Sequence, residues 1–215
     1  MTASRMLEVH PDSEYNKLML SEHDLYYKNS GVDFHINYQA VDRKLEWKEP
    51  TTPRGIFEEI IKYIPVNKDW VFLDCGCGLG HVVYLASFYF NIVYGVECIE
   101  EVAEIAKKNI KILLPNRKYC TVLFSDIFKL DKKIINKTNV FYISSPFIDE
   151  NIFEKFVKII LHSLKNKKRE IWLIYFYPYC DHIMKKYSNT LPLVYTLKTL
   201  GDVNYYHYEL MNKNT

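Results

Sequence analysis

A chain of 215 residues with 48% hydrophobic and 25% charged residues has the size and composition of one globular α/β domain with a short extra segment. Its net charge of +2 is too small for a protein built around broad phosphate neutralisation, so we do not expect a nucleic-acid partner. The polar N-terminus argues against a signal peptide, and the short apolar runs argue against a membrane span. The five cysteines lack the spacing of a zinc site, so we expect free thiols, no metal and a cytoplasmic location.

Residues 1–50 lack regular periodicity but are rich in aromatic side chains, which are Tyr26, Tyr27, Phe34, Tyr38 and Trp47. This segment is too aromatic for a disordered tail. Two interpretations remain open, a lid over a ligand pocket and a packing extension. We therefore divide the chain into an N-terminal extension over 1–50 and a regular domain over 51–215.

Strands and helices alternate from Pro53 onward. A helix is predicted from Pro53 to Pro65, and Gly201-Asp202 is predicted to join the two strands of a final hairpin. The other predicted strands are 70–73, 92–96, 121–124, 140–144 and 171–177, and the other helices are 81–90, 99–114, 149–165 and 181–187. This order predicts an α/β fold with a seven-stranded, mainly parallel sheet, an antiparallel final strand and helices on both faces. The basic run Lys165, Lys167, Lys168 and Arg169 is interpreted as a solvated turn.

A glycine-rich loop follows the first strand of this domain, with the sequence Asp74-Cys75-Gly76-Cys77-Gly78-Leu79-Gly80. Glycine lets the backbone turn sharply and approach a ligand, and the next helix offers free N–H groups. The spacing is G-x-G-x-G, whereas a dinucleotide fingerprint needs G-x-G-x-x-G with a small residue where His81 stands. The loop resembles motif I of class I S-adenosylmethionine-dependent methyltransferases, which have a Rossmann-like fold.

Acidic residues end the next two strands as well, Glu97 after the second and Asp126 after the third. Glu97 is placed to accept the ribose hydroxyls of a nucleotide-like cofactor, the alternative being a helix N-terminal carboxylate. The resemblance implies that Asp126 meets the adenine amino group and that the next residue covers the ring, the alternative being a turn aspartate. The expected contacts of S-adenosyl-L-methionine in this part of the chain are Asp74, Cys75, Gly76, Gly78, Gly80, Glu97, Cys98, Ser125, Asp126, Ile127 and Ser144.

The fourth strand ends in Ser144-Ser145-Pro146-Phe147, which resembles the (D/N/S)-P-P-(Y/F) motif of amino-group methyltransferases except at Ser145. The resemblance implies that all four residues are catalytic: Ser144 and nearby carbonyls accept hydrogen bonds from the amine, and the ring of Phe147 packs on the reacting centre. Orientation of this kind supplies much of the rate of a transfer reaction. An oxygen acceptor would need a base, for which the candidates are His81, His182, Tyr175 and Tyr177.

The series from Glu49 to about residue 150 is similar to the non-SET histone lysine methyltransferases of the disruptor-of-silencing type and to small bacterial methyltransferases that share their core. This likeness implies that Thr51 or Thr52 contacts the methionine end of the cofactor. Ser144 replaces the Asn expected there, and no basic tail for chromatin is visible, so the cofactor site is carried over and the histone substrate is not.

The sequence therefore predicts a methyltransferase that acts on a nitrogen atom, with oxygen less favoured, of a small molecule or a protein side chain. A non-catalytic subunit that binds S-adenosylmethionine is the alternative, and the altered residues 144–147 motivate it. A dehydrogenase that uses NAD is disfavoured by the glycine spacing.

Overall fold

The computed structural model describes residues 5–8, 52–144, 147, 149–198 and 202–209. The predicted lid falls on the N-terminal fifty residues and, apart from 5–8, lies outside the described residues. Among the described residues, no helix combines the length and the hydropathy of a transmembrane span.

One mixed sheet organises the chain. Its strands are β1 Arg5–Glu8, β2 Val71–Cys75, β3 Ile92–Glu97, β4 Cys120–Phe124, β5 Thr138–Ser144, β6 Ile171–Phe176, β7 Leu193–Lys198 and β8 Asp202–Tyr208. Their order is β1-β7-β8-β6-β5-β2-β3-β4, with β2 to β6 parallel and β8 antiparallel between β6 and β7. The predicted seven-stranded sheet is confirmed, and β1 adds an edge strand parallel to β7 that the sequence did not predict. A four-residue strand is too short to show alternation.

Helices cover both faces of this sheet, as predicted. They are α1 Arg54–Ile61, α2 His81–Ala86, α3 Glu100–Leu113, α4 Lys132–Ile135, α5 Glu150–Asn166 and α6 Asp181–Met184. Neighbouring residues of β2 point to opposite faces, so Phe72 packs with α1, α2 and α3 in one core, and Leu73 packs with α5 and α6 in another. The side chain of Asp149 caps α5 by accepting hydrogen bonds from Asn151 N and Ile152 N. The predicted helix 53–65 is shorter in the structure and ends at Ile61, and the four-residue α4 is too short for a periodic pattern.

Arg169 corrects the interpretation of the basic run as a solvated turn. Its guanidinium is buried and donates to the carbonyl oxygens of Thr138 and Ile135, both at 2.7 Å, and to those of Lys167 and Ser163 at 3.0 and 3.3 Å. The hydroxyl of Ser163 accepts a further bond at 3.0 Å. Burial lowers the pKa of Arg169 to about 10. Arg169 therefore ties α4, β5 and the end of α5 together, a role that its charged neighbours in the sequence concealed.

Candidate active site

The glycine-rich loop leaves the carboxyl end of β2 and is tied to β3. Gly76 N and Cys77 N both donate to Val96 O at 2.9 Å. Gly78 and Gly80 have φ values of 51° and 88°, in the left-handed region that favours glycine. Gly95 on β3 is needed for the same packing, because a Cβ there would lie 2.5 Å from a Val83 methyl group and 2.8 Å from the Cys77 sulfur. The loop thus takes its shape from its own glycines and from Gly95 on β3.

Glu97 joins the loop to the start of α3. Its Oε2 accepts a hydrogen bond from Gly78 N at 3.1 Å, and its Oε1 accepts from Cys98 N at 2.8 Å and Ile99 N at 3.0 Å. A carboxylate has about four lone-pair positions, so three bonds leave room on Oε2 for about one further donor. The helix-start alternative is realised, because the buried Glu97 accepts from the first backbone N–H groups before α3. The contact of Glu97 with the ribose stays a prediction.

Asp74 is a buried carboxylate at the same edge. It is only 3% exposed, and within the described residues no group donates a hydrogen bond to it. Burial, and secondarily the charge of Glu97, raises the pKa of Asp74 well above its usual value. An adjacent cation would oppose this shift, because an opposite charge favours the ionised carboxylate. Asp74 is therefore suited to a positively charged ligand group.

Asp126 stands at the end of β4, beside Glu97. Ser125 N donates to Glu97 O at 2.9 Å, which joins the two strand ends. Asp126 Oδ1 accepts from Phe128 N at 2.9 Å and closes a 3₁₀ turn over Ile127–Lys129, in which Ile127 is buried. The turn role considered from the sequence is thus present and uses one carboxylate oxygen. The contact of Asp126 and Ile127 with adenine stays a prediction.

Three thiols lie in or beside the predicted cofactor site. Burial raises the pKa of Cys75, Cys77 and Cys98, and the negative charges of Asp74 and Glu97 raise these pKa values further. A thiolate is a strong nucleophile that would attack a sulfonium methyl group, whereas a thiol is a weak one. The electrostatics of the site keep these sulfurs protonated.

Thr52 reaches the site through a tyrosine that the sequence analysis missed. Thr52 Oγ1 and Tyr142 OH lie 2.7 Å apart, both buried, and Tyr142 on β5 pairs with Asp74 on β2. Burial raises the pKa of the Tyr142 phenol. The one signal in the sequence is that a tyrosine within the apolar run 140–143 needs a buried partner for its hydroxyl. Thr51 lies outside the described residues.

The predicted acceptor motif is only partly described. Ser144 ends β5, is half-buried and pairs with Phe176 at the end of β6, whereas Ser145 and Pro146 lie outside the described residues. The ring of Phe147 lies 5.2 Å from that of Phe156 and 6.1 Å from that of Phe128. Phe147 thus packs toward α5 and the 3₁₀ turn, and its role at the reacting centre stays a prediction.

An aromatic wall follows β6, next to Ser144. Tyr177 alone among the described non-glycine residues has a positive φ, 51°. Its ring stacks on Phe176 at 4.2 Å and lies nearly parallel to that of Tyr179, with centroids 6.5 Å apart. Strained backbone of this kind is common at functional sites. The sequence suggests for Tyr177 only the role of a base.

The other three candidate bases lie in three different environments. His81 is buried at the start of α2, and Tyr175 OH accepts a hydrogen bond from Cys180 N at 3.1 Å. His182 Nε2 lies 3.2 Å from Glu150 Oε1, and both side chains are more than half exposed. In the part of the chain that the structure describes, no three His, Cys, Asp or Glu side chains are grouped to hold a metal ion.

Comparison with known families and sequences gives two results. The sequence model of the family described as histone methylation protein DOT1 matches residues 51–191. Two curated relatives, described as uncharacterised RNA methyltransferases of Clostridium acetobutylicum and Oceanobacillus iheyensis, are 30% identical over 91 residues and 26% identical over 96. These alignments span 42% and 45% of the chain but only 20% of each relative.

Among solved structures, an RNA methyltransferase from Salinibacter ruber in complex with S-adenosyl-L-homocysteine is similar with a TM-score of 0.55 and 17% identity, over 77% of this chain and 98% of that one. At this identity the likeness concerns the fold.

These findings overturn the expectation that nucleic acid is not a partner, because the relatives at hand are RNA methyltransferases. That expectation was wrong in its reasoning too. A net charge sums over the whole chain and does not report where basic side chains gather on the surface.

Proposed function

The chain belongs to the DOT1 histone methylation family and is an S-adenosylmethionine-dependent methyltransferase, and from that premise we propose that a nitrogen atom accepts its methyl group. The class I recognition, the enzyme class and the cofactor predicted from the sequence are confirmed, and the dehydrogenase alternative is set aside. What carries the nitrogen proposal is the position of Ser144, one strand away from Asp74 at the carboxyl edge of the sheet.

The cofactor is proposed to lie across the carboxyl ends of β2, β3 and β4, where ligands of such sheets bind. Glu97 would accept from the ribose at its remaining Oε2 position, beside the N–H groups of the loop. Asp126 and Ile127 would hold the adenine end. Asp74 would face the cationic methionine end, close to the buried pair of Thr52 and Tyr142.

The acceptor is proposed to enter between Ser144 and the aromatic wall of Tyr177 and Tyr179. The Ser144 hydroxyl and nearby carbonyl oxygens would accept hydrogen bonds from the N–H groups of the amine. These bonds would aim the lone pair of the nitrogen at the methyl group. The nitrogen forms a bond to the methyl carbon as the carbon–sulfur bond breaks, and the bonding electrons stay on sulfur. The amine then releases its proton to solvent. No protein nucleophile takes part in this transfer.

An oxygen acceptor is the second candidate, favoured by the pair of His182 and Glu150 next to the acceptor motif. If nitrogen is the acceptor, His182→Gln leaves kcat within about twofold, whereas loss of a general base lowers kcat by about 100-fold or more. Ser144→Ala is expected to lower kcat while leaving the Kd for S-adenosylhomocysteine unchanged. The measurement is methyl transfer from labelled cofactor to nucleic-acid, peptide and small-amine acceptors; a large His182 effect with no Ser144 effect would replace nitrogen by oxygen.

The cofactor placement is tested by calorimetric titration with S-adenosylhomocysteine. Glu97→Ala removes the carboxylate that receives the ribose and holds the loop, so we expect affinity to fall by about 10- to 100-fold. Glu101→Ala is the matched control, because Glu101 is an exposed carboxylate in the first turn of the same helix. Equal affinity of the two variants, both folded by thermal melting, would refute the placement.

The cysteine usage also belongs to this proposal. Five cysteines without a metal-site pattern are usual for a reducing compartment, and we propose a cytoplasmic location on that ground.

A further inference from the structure

The outer edge of the sheet at β4 is strongly basic, although the whole chain is nearly neutral. The stretch 105–125 has no Asp or Glu, and its five cations are Lys107, Lys108, Lys111, Arg117 and Lys118. The fold gathers them, because the last two turns of α3 lie beside β4 and a short turn joins the two elements. The five cations do not form a contiguous run, so the sequence alone does not mark them as one set.

A groove of about 370 Å³ lies between α3 and β4. Its lining includes Lys107, Lys111 and Arg117 together with Cys120 and Val122, and none of the described residues that line it is acidic. Lys107 is paired with Glu104 at 2.7 Å. Lys111, Arg117 and Lys118 are exposed and form no ion pair with any described residue. Three cationic groups are therefore available to an anionic ligand.

The element packed beside this surface does not neutralise it. The Cys120 sulfur lies 3.8 Å from Val83 O on α2, and residues 82–91 contain no charged side chain. Among the described strands, β4 is also the last one of the sheet on this side. Lys111, Arg117 and Lys118 are exposed along this edge.

An exposed aromatic ring accompanies the charges. Tyr119 is 59% exposed, and Lys118 Nζ lies 5.7 Å from the centre of its ring. Proteins that bind single-stranded nucleic acid combine basic groups for the phosphates with exposed aromatic rings on which bases stack. We propose that this surface, the β4 basic edge formed by Lys107, Lys111, Arg117, Lys118 and Tyr119, binds single-stranded nucleic acid.

The location fits a nucleic-acid strand that extends from the groove to the carboxyl edge of the sheet, where the cofactor is proposed to lie. β4 runs from Cys120, in the groove, to Phe124, two residues before Asp126, and five residues of a β-strand span about 17 Å. The proposal concerns binding of the polyanion and does not depend on which atom is methylated. The rival explanation is that Lys111 and Arg117 only stabilise the carboxyl end of the α3 dipole.

The test is fluorescence anisotropy of a short, mixed-sequence, labelled single-stranded RNA with the full chain at several salt concentrations. The edge variant is Lys111→Gln/Arg117→Gln/Lys118→Gln. The control, Lys165→Gln/Lys167→Gln/Lys168→Gln, removes the same charge from exposed positions at the end of α5 and just after it. We expect the edge variant to bind about tenfold more weakly or worse. The slope of log affinity against log salt should shrink by about 2, since each single-strand phosphate contact contributes about 0.7. The control should match the wild type.

A second variant isolates the ring, because Tyr119→Ala removes stacking and no charge and should weaken binding about fivefold or more. Equal losses in the edge and control variants, or no RNA binding by the wild type, would overturn the proposal. Competition by polyglutamate as strong as that by RNA of equal charge would overturn it in favour of an acidic protein partner. S-adenosylhomocysteine binding, measured on each variant, shows that the fold is intact and tests the cofactor site separately.

Discussion

Two buried charged side chains of this protein, Arg169 and Asp74, differ in whether the chain supplies hydrogen-bond partners for them. Arg169, which precedes β6 and contacts the first residue of β5, donates five hydrogen bonds to carbonyl and hydroxyl oxygens of its own chain. Asp74, near the carboxyl end of β2, receives none from any described residue, and its pKa is raised. A charge that the chain itself satisfies holds the fold together, whereas a buried charge left without a partner is suited to binding a ligand.

The largest effect is expected at Arg169. Arg169→Met leaves three buried carbonyl groups, the part-buried carbonyl of Lys167 and the Ser163 hydroxyl short of a donor, and each unsatisfied buried group costs about 1 kcal/mol or more. We expect the free energy of unfolding to fall by about 3 kcal/mol or more, measured by urea denaturation. Lys168→Met is the matched control, because Lys168 is exposed, and should change stability by less than about 0.5 kcal/mol. Similar free energies of unfolding for the two variants would mean that water replaces the guanidinium as the hydrogen-bond donor.

A substitution at Asp74 is expected to change the free energy of unfolding in the opposite direction. Asp74→Asn removes a carboxylate that is buried without a partner, so the unliganded protein should gain about 0.5–2 kcal/mol in its free energy of unfolding. The same change should weaken binding of S-adenosylmethionine by about tenfold or more, because the cationic end loses its counter-charge. Thermal melting and calorimetry measure the two effects. A variant that is less stable and still binds would show that Asp74 is a structural residue like Arg169.

The smallest effect is a dependence of stability on pH. The pKa of Asp74 is higher in the folded protein than the usual 3.8, so the folded state keeps a proton that the unfolded chain releases. The unliganded protein should therefore lose stability as pH rises from about 4 through the folded-state pKa. The difference in stability between Asp74→Asn and the wild type should grow over the same interval, as measured by urea denaturation at a series of pH values. A constant difference would place the Asp74 pKa at its ordinary value in the folded state.

The parts of the fold that were predicted correctly are those set by local patterns. Buried positions at helical spacing marked α3 and α5, and the apolar run at 171–177 marked the central strand β6. The glycine spacing and the acidic residues that end the strands at Glu97 and Asp126 indicated the cofactor class, which the family match confirms. Short elements were missed, namely β1 and α4, because four residues are too few for a period to be visible.

The site was predicted only where its residues are local in the sequence. Thr52 and Tyr142 are 90 residues apart, and their hydrogen bond depends on how α1 packs against β5. The left-handed backbone of Tyr177 depends on its bond to Asp202 O at the start of β8. No single-sequence pattern encodes such pairs, because each depends on packing between distant elements.

What the sequence by itself determined about this protein is the order of its elements and the donor of the methyl group, because periodicity and glycine spacing act over a few residues. Only the tertiary structure decided which charges are buried, which are satisfied and which gather on a surface. Arg169 and Lys168 are neighbours in the sequence, yet one is buried and the other exposed. The burial of a charge depends on every element that packs around it, and so only the assembled fold determines it.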